Sequence, residues 1–562
     1  MSSGFKTISV ILFVLGSSVS ATADIVDWSP SARIPEQGRA NILNLDQGQL
    51  EQYRDAGLIH AQIYPVTVTG VLPPLQPVRN FIEDRSWNPL KELLNKVIRN
   101  ITGFTSFDGF LSRLGLHKYP KATDAGVYAV PYPEGSRPDY RMGFGVIERG
   151  GAQGFTFSCA ACHSSELFGK TVLGLTNRFP RANEFFVKAK KITGYYNSWF
   201  FQHWTGASQS EAALMDEAVR NLGRVEVKNP IMVGLDTSLA QVALSLNRRQ
   251  QDAYATPSPA LERNPRKDPF LDDYPADSKP AVWWNLKYKN RWLSDGSVIS
   301  GNPIFTNIIW NEVGRGADLR VLENWLSQNQ QVVDELTAAV FSAEAPRITD
   351  FFPAERIDVG RAKIGEQIFN NTCAQCHGVY EKAWSLPGSE TWPKEMQLRT
   401  TKVIPRRDTP VEEVGTDPYR RLGMKSLEQL NNLSISRKNG IVIQAQPGYV
   451  PPPLVGIWAR WPYMHNNSIP SLCAVLTPAK QRPQVYYAGE ARDKEKDFDF
   501  ECNGYPLGPK TPAAWKEDDF LYVTTRRGMS NAGHDEGIFL EQGREILSVQ
   551  DKKDLIQYLQ TL

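Results

Sequence analysis

Apolar residues recur at helical spacing in four stretches of the chain. Within residues 359–369 (VGRAKIGEQIF), Ile364, Ile368 and Phe369 fall on one face and predict a helix ending just before Cys373. At the end of the chain, Leu555, Ile556, Tyr558, Leu559 and Leu562 form an apolar face behind Ser548-Val549-Gln550-Asp551, which resembles a capping box. Ser208 and Glu211 make a second box ahead of a helix over 211–222, with Gly223 as its terminator. A fourth helical pattern runs over 318–341. Residues 64–77 and 119–138 are proline-rich and read as irregular connections. The pattern predicts a mainly α chain with long irregular loops and few strands. Ala343-Glu344-Ala345-Pro346 reads as a linker, dividing the chain into 24–345 and 346–562.

The first residues follow another rule. Lys6 precedes an apolar run over 8–15, and small residues then offer Val19-Ser20-Ala21 and Ala21-Thr22-Ala23 as cleavage sites. The run is well short of the ~20 residues a membrane-spanning helix needs, so 1–23 is expected to be an export signal. The mature chain is expected in the periplasm or outside the cell, with no integral membrane span. Composition narrows the class further. With 562 residues, 63 Lys+Arg and 61 Asp+Glu, the net charge is +2, without the basic footprint of a nucleic-acid binder. At 41% hydrophobic residues the chain can bury a core, and its length predicts roughly three to four domains or two large ones.

The cysteines carry the chemistry. Cys159-Ala160-Ala161-Cys162-His163 and Cys373-Ala374-Gln375-Cys376-His377 repeat one pattern, for which this composition gives about 0.0008 chance matches. Two thiols two residues apart reach the two vinyl groups of one porphyrin as thioethers, and the adjacent histidine supplies the proximal nitrogen to iron. A zinc site would need further Cys or His ligands nearby, a thioredoxin-like pair needs no histidine, and a plain disulfide would make both histidines coincidental. Two covalent haems c are therefore expected. The remaining Cys473 and Cys502 are expected to pair in an oxidising compartment, the alternative being two buried thiols.

Five histidines remain: His60, His117, His203, His465 and His534. His534, His465 or one of Met424, Met464 and Met529 could close the second iron. No comparable ligand loop accompanies the first motif, and His60, His117 and His203 read as structural. The first iron is thus expected to be open and reactive. Between the motifs, Trp283 and Trp284 precede Lys287, Tyr288, Lys289, Arg291 and Trp292, a segment suited to core packing or to an aromatic bridge between haems.

The two motifs, the Trp461-Pro462-Tyr463-Met464-His465-Asn466-Asn467-Ser468-Ile469 loop and the Ser530-Asn531-Ala532-Gly533-His534 loop resemble the bacterial di-haem cytochrome c peroxidase superfamily. The nearest resemblance is to its rubber-oxygenase-like branch. It implies two c-type cytochrome domains, with Cys159, Cys162 and His163 at the reactive haem. It also implies Cys373, Cys376 and His377 at an electron-transfer haem, with His534 as distal ligand and His465 beside the cofactor. Trp284, with Trp283 next to it, takes the place of an inter-haem tryptophan. Asn467 stands where that loop usually has glycine; Asn tolerates left-handed backbone, so the turn is expected to survive. The implied function is a periplasmic oxidoreductase that reduces hydrogen peroxide or activates dioxygen at the N-terminal haem. The C-terminal haem would be its electron-transfer centre. Its expected partners are that oxidant, a periplasmic electron donor and, as a further candidate, an organic substrate. A non-catalytic di-haem electron carrier is the alternative.

Overall fold

The computed structural model describes residues 26–83, 106–249, 277–516 and 520–562, with single positions 92, 93, 96, 271 and 275. The expected export signal over 1–23 lies outside the described residues. The helices that position the rest are α1 (Gln47–Ile63), α2 (Gln209–Leu222), α3 (Leu319–Gln328), α4 (Gln330–Phe341), α5 (Val359–Thr372) and α6 (Val549–Leu559). Both expected capping boxes form, Ser208 with Glu211 and Ser548 with Asp551, and each satisfies backbone donors that the first helical turn leaves unpaired.

Two glycines allow the close crossings of these helices. At Gly57 of α1, a Cβ would lie 2.0 Å from the Glu335 carbonyl oxygen of α4. At Gly365 of α5, a Cβ would lie 2.1 Å from the Asp554 carbonyl oxygen of α6. An Arg361–Asp554 ion pair at 2.6 Å flanks the second crossing. The buried face of α5 is therefore Ala362, Gly365 and Phe369, whereas Ile364, expected inside, is 47% exposed. The pattern expected as one helix over 318–341 is two helices. At Asn329 the backbone leaves the helical region (φ −126°, ψ 37°), and its side-chain amide donates to the Trp325 carbonyl at 2.7 Å, the local competition that makes Asn a poor interior residue.

The expectation of a mainly α chain built as two cytochrome domains is corrected by the structure, which is mixed, with 42% helix and 11% strand. Among the described residues, six two-stranded antiparallel sheets are spread along the chain. They include β1 (Phe144–Arg149) with β2 (Ala152–Phe157), β3 (Ser164–Leu167) with β4 (Lys170–Leu173), and β5 (Val379–Lys382) with β6 (Thr400–Ile404). These strands are too short for a period-two pattern to stand out. Their signal lies in the turns: Gly150-Gly151 (φ 59° and 78°) and Phe168-Gly169 (φ 49° and 85°) place both central residues in the left-handed region, as a type I′ hairpin requires.

The largest core joins residues from both sides of the linker, including Leu175 and Trp284 before it and Phe369, Trp458, Trp461 and Tyr558 after it. A second core holds Trp283, Trp292, Trp310 and Phe341. Ala343 of the linker packs against both. Cys473 and Cys502 form the expected disulfide, with Cα atoms 4.9 Å apart. Among the described residues, no helix is long and apolar enough to cross a membrane.

Candidate functional site

Both Cys-x-x-Cys-His motifs fold into the same single turn. The amide of His163 donates to the Cys159 carbonyl at 2.9 Å, and that of His377 to the Cys373 carbonyl at 3.0 Å. Each turn is followed by an antiparallel strand pair, the hairpin β3–β4 directly after the first and β5 with the more distant β6 after the second. All four motif cysteines are free. Burial pushes the Cys159 thiol up to about 11 and the Cys162 thiol up to about 12, so these are not the low-pKa thiolates of a thiol redox pair. Among the described residues, no three or more His, Cys, Asp or Glu side chains are grouped to hold a metal ion.

The histidines are oriented alike. His163 Nδ1 lies 2.8 Å from the Ala281 carbonyl oxygen, and His377 Nδ1 lies 2.8 Å from the Pro452 carbonyl oxygen. A carbonyl only accepts, so each Nδ1 carries the proton and each Nε2 carries the lone pair. Burial holds His163 down to about 4 and lowers His377, so both rings are neutral near pH 7, the state in which imidazole binds iron. A carbonyl on the far ring nitrogen is the usual outer support of a ligating histidine. The two thiols, the turn and the fixed imidazole fit haem c at both motifs.

Opposite His377 stands His534. Their ring centroids are 6.3 Å apart with the planes tilted by 55°. Two imidazole nitrogens at about 2 Å from one metal separate the ring centroids by roughly 6 Å, so the pair fits a shared iron. His534 has a left-handed backbone (φ 55°) after Gly533, and its amide donates to the Val414 carbonyl at 2.8 Å. Arg482 fastens the same loop by donating to the Gly533 carbonyl at 2.7 Å and to that of Asn531. Burial pushes His534 down to about 4, again neutral.

His465 is placed differently. It stacks on Tyr449 with centroids 4.0 Å apart, its Nε2 is buried without a partner among the described residues, and burial pushes it down to about 3. Its loop contains Met464 and Asn467 at φ 66° and 59°, so Asn467 does adopt the left-handed turn. Elsewhere, His60 pairs with Glu335 at 2.8 Å, His203 stacks on Trp199, and His117 is buried with Nε2 unpartnered among the described residues.

The two tryptophans part company. Trp283 faces His163, with centroids 6.0 Å apart, and its amide donates to the Gly174 carbonyl at 2.9 Å. Trp284 is fully buried in the other core and donates its indole N–H to the Val455 carbonyl at 2.8 Å. Asn285 donates to the Pro453 carbonyl at 2.8 Å. Residues 281–285 and 452–455 therefore touch along their length, each also supporting one motif histidine. Sequence reasoning missed Ala281 and Pro452, because a backbone carbonyl leaves no trace in residue type.

Residues 448–487 match the family described as RoxA-like, cytochrome c-like. The match includes Pro452, Val455 and His465 but neither Cys-x-x-Cys-His motif, so it marks one cytochrome-like segment where two cytochrome domains were expected. It implies haem c binding and a redox or electron-transfer role. The chain is also similar to the uncharacterized protein y4iJ of Sinorhizobium fredii, at 36% identity over 494 residues, covering 72% of this chain and 76% of that protein. The uncharacterized protein y4iM of the same organism is 25% identical over 229 residues, covering 36% of this chain and 49% of y4iM, so the chain spans about half the length of that relative.

Proposed function

From a chain that belongs to the same family as Sinorhizobium fredii y4iJ and carries a RoxA-like cytochrome c segment, we propose an exported di-haem c-type oxidoreductase. In this reading, Cys159, Cys162 and His163 hold the reactive haem, and Cys373, Cys376 and His377 hold the electron-transfer haem with His534 as its second ligand. When bound, haem supplies redox-active iron: for reducing hydrogen peroxide or activating dioxygen on the first side, and for one-electron transfer on the second. Two electrons and two protons per peroxide yield two waters, the electrons coming from a periplasmic donor.

The observation that carries this reading is the asymmetry around two histidines held in the same way. His377 faces a second imidazole, whereas the ring beside His163 is the indole of Trp283, which offers no ligand nitrogen. The carbonyls of Ala281 and Pro452 hold the imidazoles in orientation, and Trp284 is buried between these supports through its bond to Val455. Trp283 and Trp284 are the proposed route for electrons. The absorption and electron paramagnetic resonance spectra of the purified protein should show one high-spin and one low-spin haem, with cyanide perturbing the high-spin one. Two low-spin haems that bind no added ligand in either oxidation state would make the protein an electron carrier instead.

A further inference from the structure

Arg420 is buried, at 1% exposure, and none of its three guanidinium nitrogens has a hydrogen-bond partner among the described residues. The nearby carboxylate is Asp295, whose Oδ1 lies 3.8 Å away, beyond hydrogen-bonding distance, and accepts from Ser297 Oγ at 3.0 Å. A guanidinium has five N–H donors and cannot discharge itself by losing a proton, so burying it this way is strongly unfavourable unless something accepts those donors. Other buried polar atoms close by share the shortage: Ser294 Oγ and Asp295 Oδ2 on one segment, Thr416 Oγ1 on another, and His465 Nε2. The charge of Arg420 acts on both His465 and the Tyr449 ring stacked on it.

This cluster is tied by hydrogen bonds to the segments that support His534 and His377. The segment that ends at Arg420 begins by supporting His534, through the Val414 carbonyl, and the loop that carries His534, through Asp417, which accepts from the Ser530 amide at 3.0 Å. Tyr449, which donates to the Asp417 carbonyl at 2.6 Å, lies in the loop whose Pro452 carbonyl orients His377. We propose that Arg420 is the anion anchor of this site, its guanidinium fork taking the carboxylate of a haem propionate. A planar fork matches a carboxylate through two parallel hydrogen bonds, which an ammonium cannot reproduce. The proposal rests on reading Cys373–His377 as a haem site. Its consequence is electrostatic: a positive charge held against the porphyrin edge disfavours the oxidised, more positive iron and keeps the potential of that haem up.

The test is made on the haem-loaded protein. Mass spectrometry of the denatured chain first counts haems, and fewer than two in the wild type refutes the di-haem reading rather than this one. With both present, spectroelectrochemical titration of Arg420→Gln should move the midpoint potential of the low-spin haem downward and leave that of the other haem in place. Arg420→Lys should move it less in the same direction. It also carries the test if the Gln variant fails to fold. Unchanged potentials in a variant that folds and keeps both haems overturn the proposal. Inorganic phosphate separates the two sources of anion: a propionate anchor predicts a wild-type potential insensitive to added phosphate. A phosphate-dependent shift that Arg420→Gln abolishes would assign the guanidinium to a free anion and overturn the propionate.

Discussion

Trp284 donates its indole N–H to the carbonyl of Val455 at 2.8 Å, in the same short loop whose Pro452 carbonyl fixes His377. Its neighbour Trp283 stands beside His163, whose Nδ1 is fixed by the Ala281 carbonyl. The tryptophan pair therefore joins the supports of both motif histidines, which is why it is the proposed route for electrons.

Trp284→Phe keeps the aromatic bulk but leaves the half-buried Val455 carbonyl without its donor, at a cost of about 0.5–1.5 kcal/mol. Both haem spectra should stay close to wild type while turnover with peroxide slows. Loss of haem would mark Trp284 as structural, and full activity with intact haems would remove it from the electron route. Denaturant unfolding and steady-state assays on the same preparation distinguish these results.

The facing of His377 and His534 leads to a second expectation. His534→Ala should convert the low-spin haem to a high-spin or water-ligated form and shift its potential, because the axial ligand is a main determinant of both. His465→Ala should leave the spin states alone, since His465 lies against Tyr449 rather than opposite a motif histidine. The reverse outcome, with spectra altered by His465→Ala and untouched by His534→Ala, would exchange the two assignments.

The chemistry of this chain is more legible in its sequence than its architecture is. The cysteine spacing points to two haem-attachment motifs with a histidine at the end of each, and each motif is a turn closed by a local backbone hydrogen bond. The helices over 359–372 and 549–559 are also readable, from apolar spacing and a cap. The β1–β2 and β3–β4 hairpins are not, because each strand is only a few residues long and the turns are marked by glycine. The choice between His465 and His534 is equally hidden, since it depends on which loop the fold carries to His377. Arg482 makes that choice concrete by binding the carbonyls of a loop distant in sequence. Ile364 shows the limit of periodicity: Gly365 occupies the contact with α6, and the larger side chain turns outward.

Gly365→Ala offers a test of that contact in which the sign decides. In an exposed helix interior this change stabilises by roughly 0.5–1 kcal/mol. Here the new methyl would lie 2.1 Å from the Asp554 carbonyl oxygen, and forcing α5 and α6 apart should cost roughly 1–3 kcal/mol. Thermal unfolding should therefore begin at lower temperature. A raised Tm would mean that the crossing is looser than its geometry indicates.

The disulfide links stability to the second site. Cys473 and Cys502 enclose a loop with a sequence separation of 29, and closing a loop of that size contributes about 3–4 kcal/mol in the chain-entropy account. Inside that loop sits Arg482, which donates to the carbonyls of Ala474 at 3.0 Å and Thr477 at 2.8 Å while holding the Gly533 carbonyl beside His534. Opening the disulfide should therefore do more than lower the unfolding temperature. Arg482 would lose the frame that aims it, and the His534 loop would lose its fastening before the rest of the chain unfolds. In the Cys473→Ser, Cys502→Ser variant, warming should weaken the low-spin haem signal ahead of the global transition, while the other haem changes only with unfolding. In the wild type, both haems should change together. If the variant melts at the wild-type temperature, the loop contributes nothing to stability. If it melts earlier but with both haems changing at once, Arg482 does not transmit the disulfide's constraint to His534.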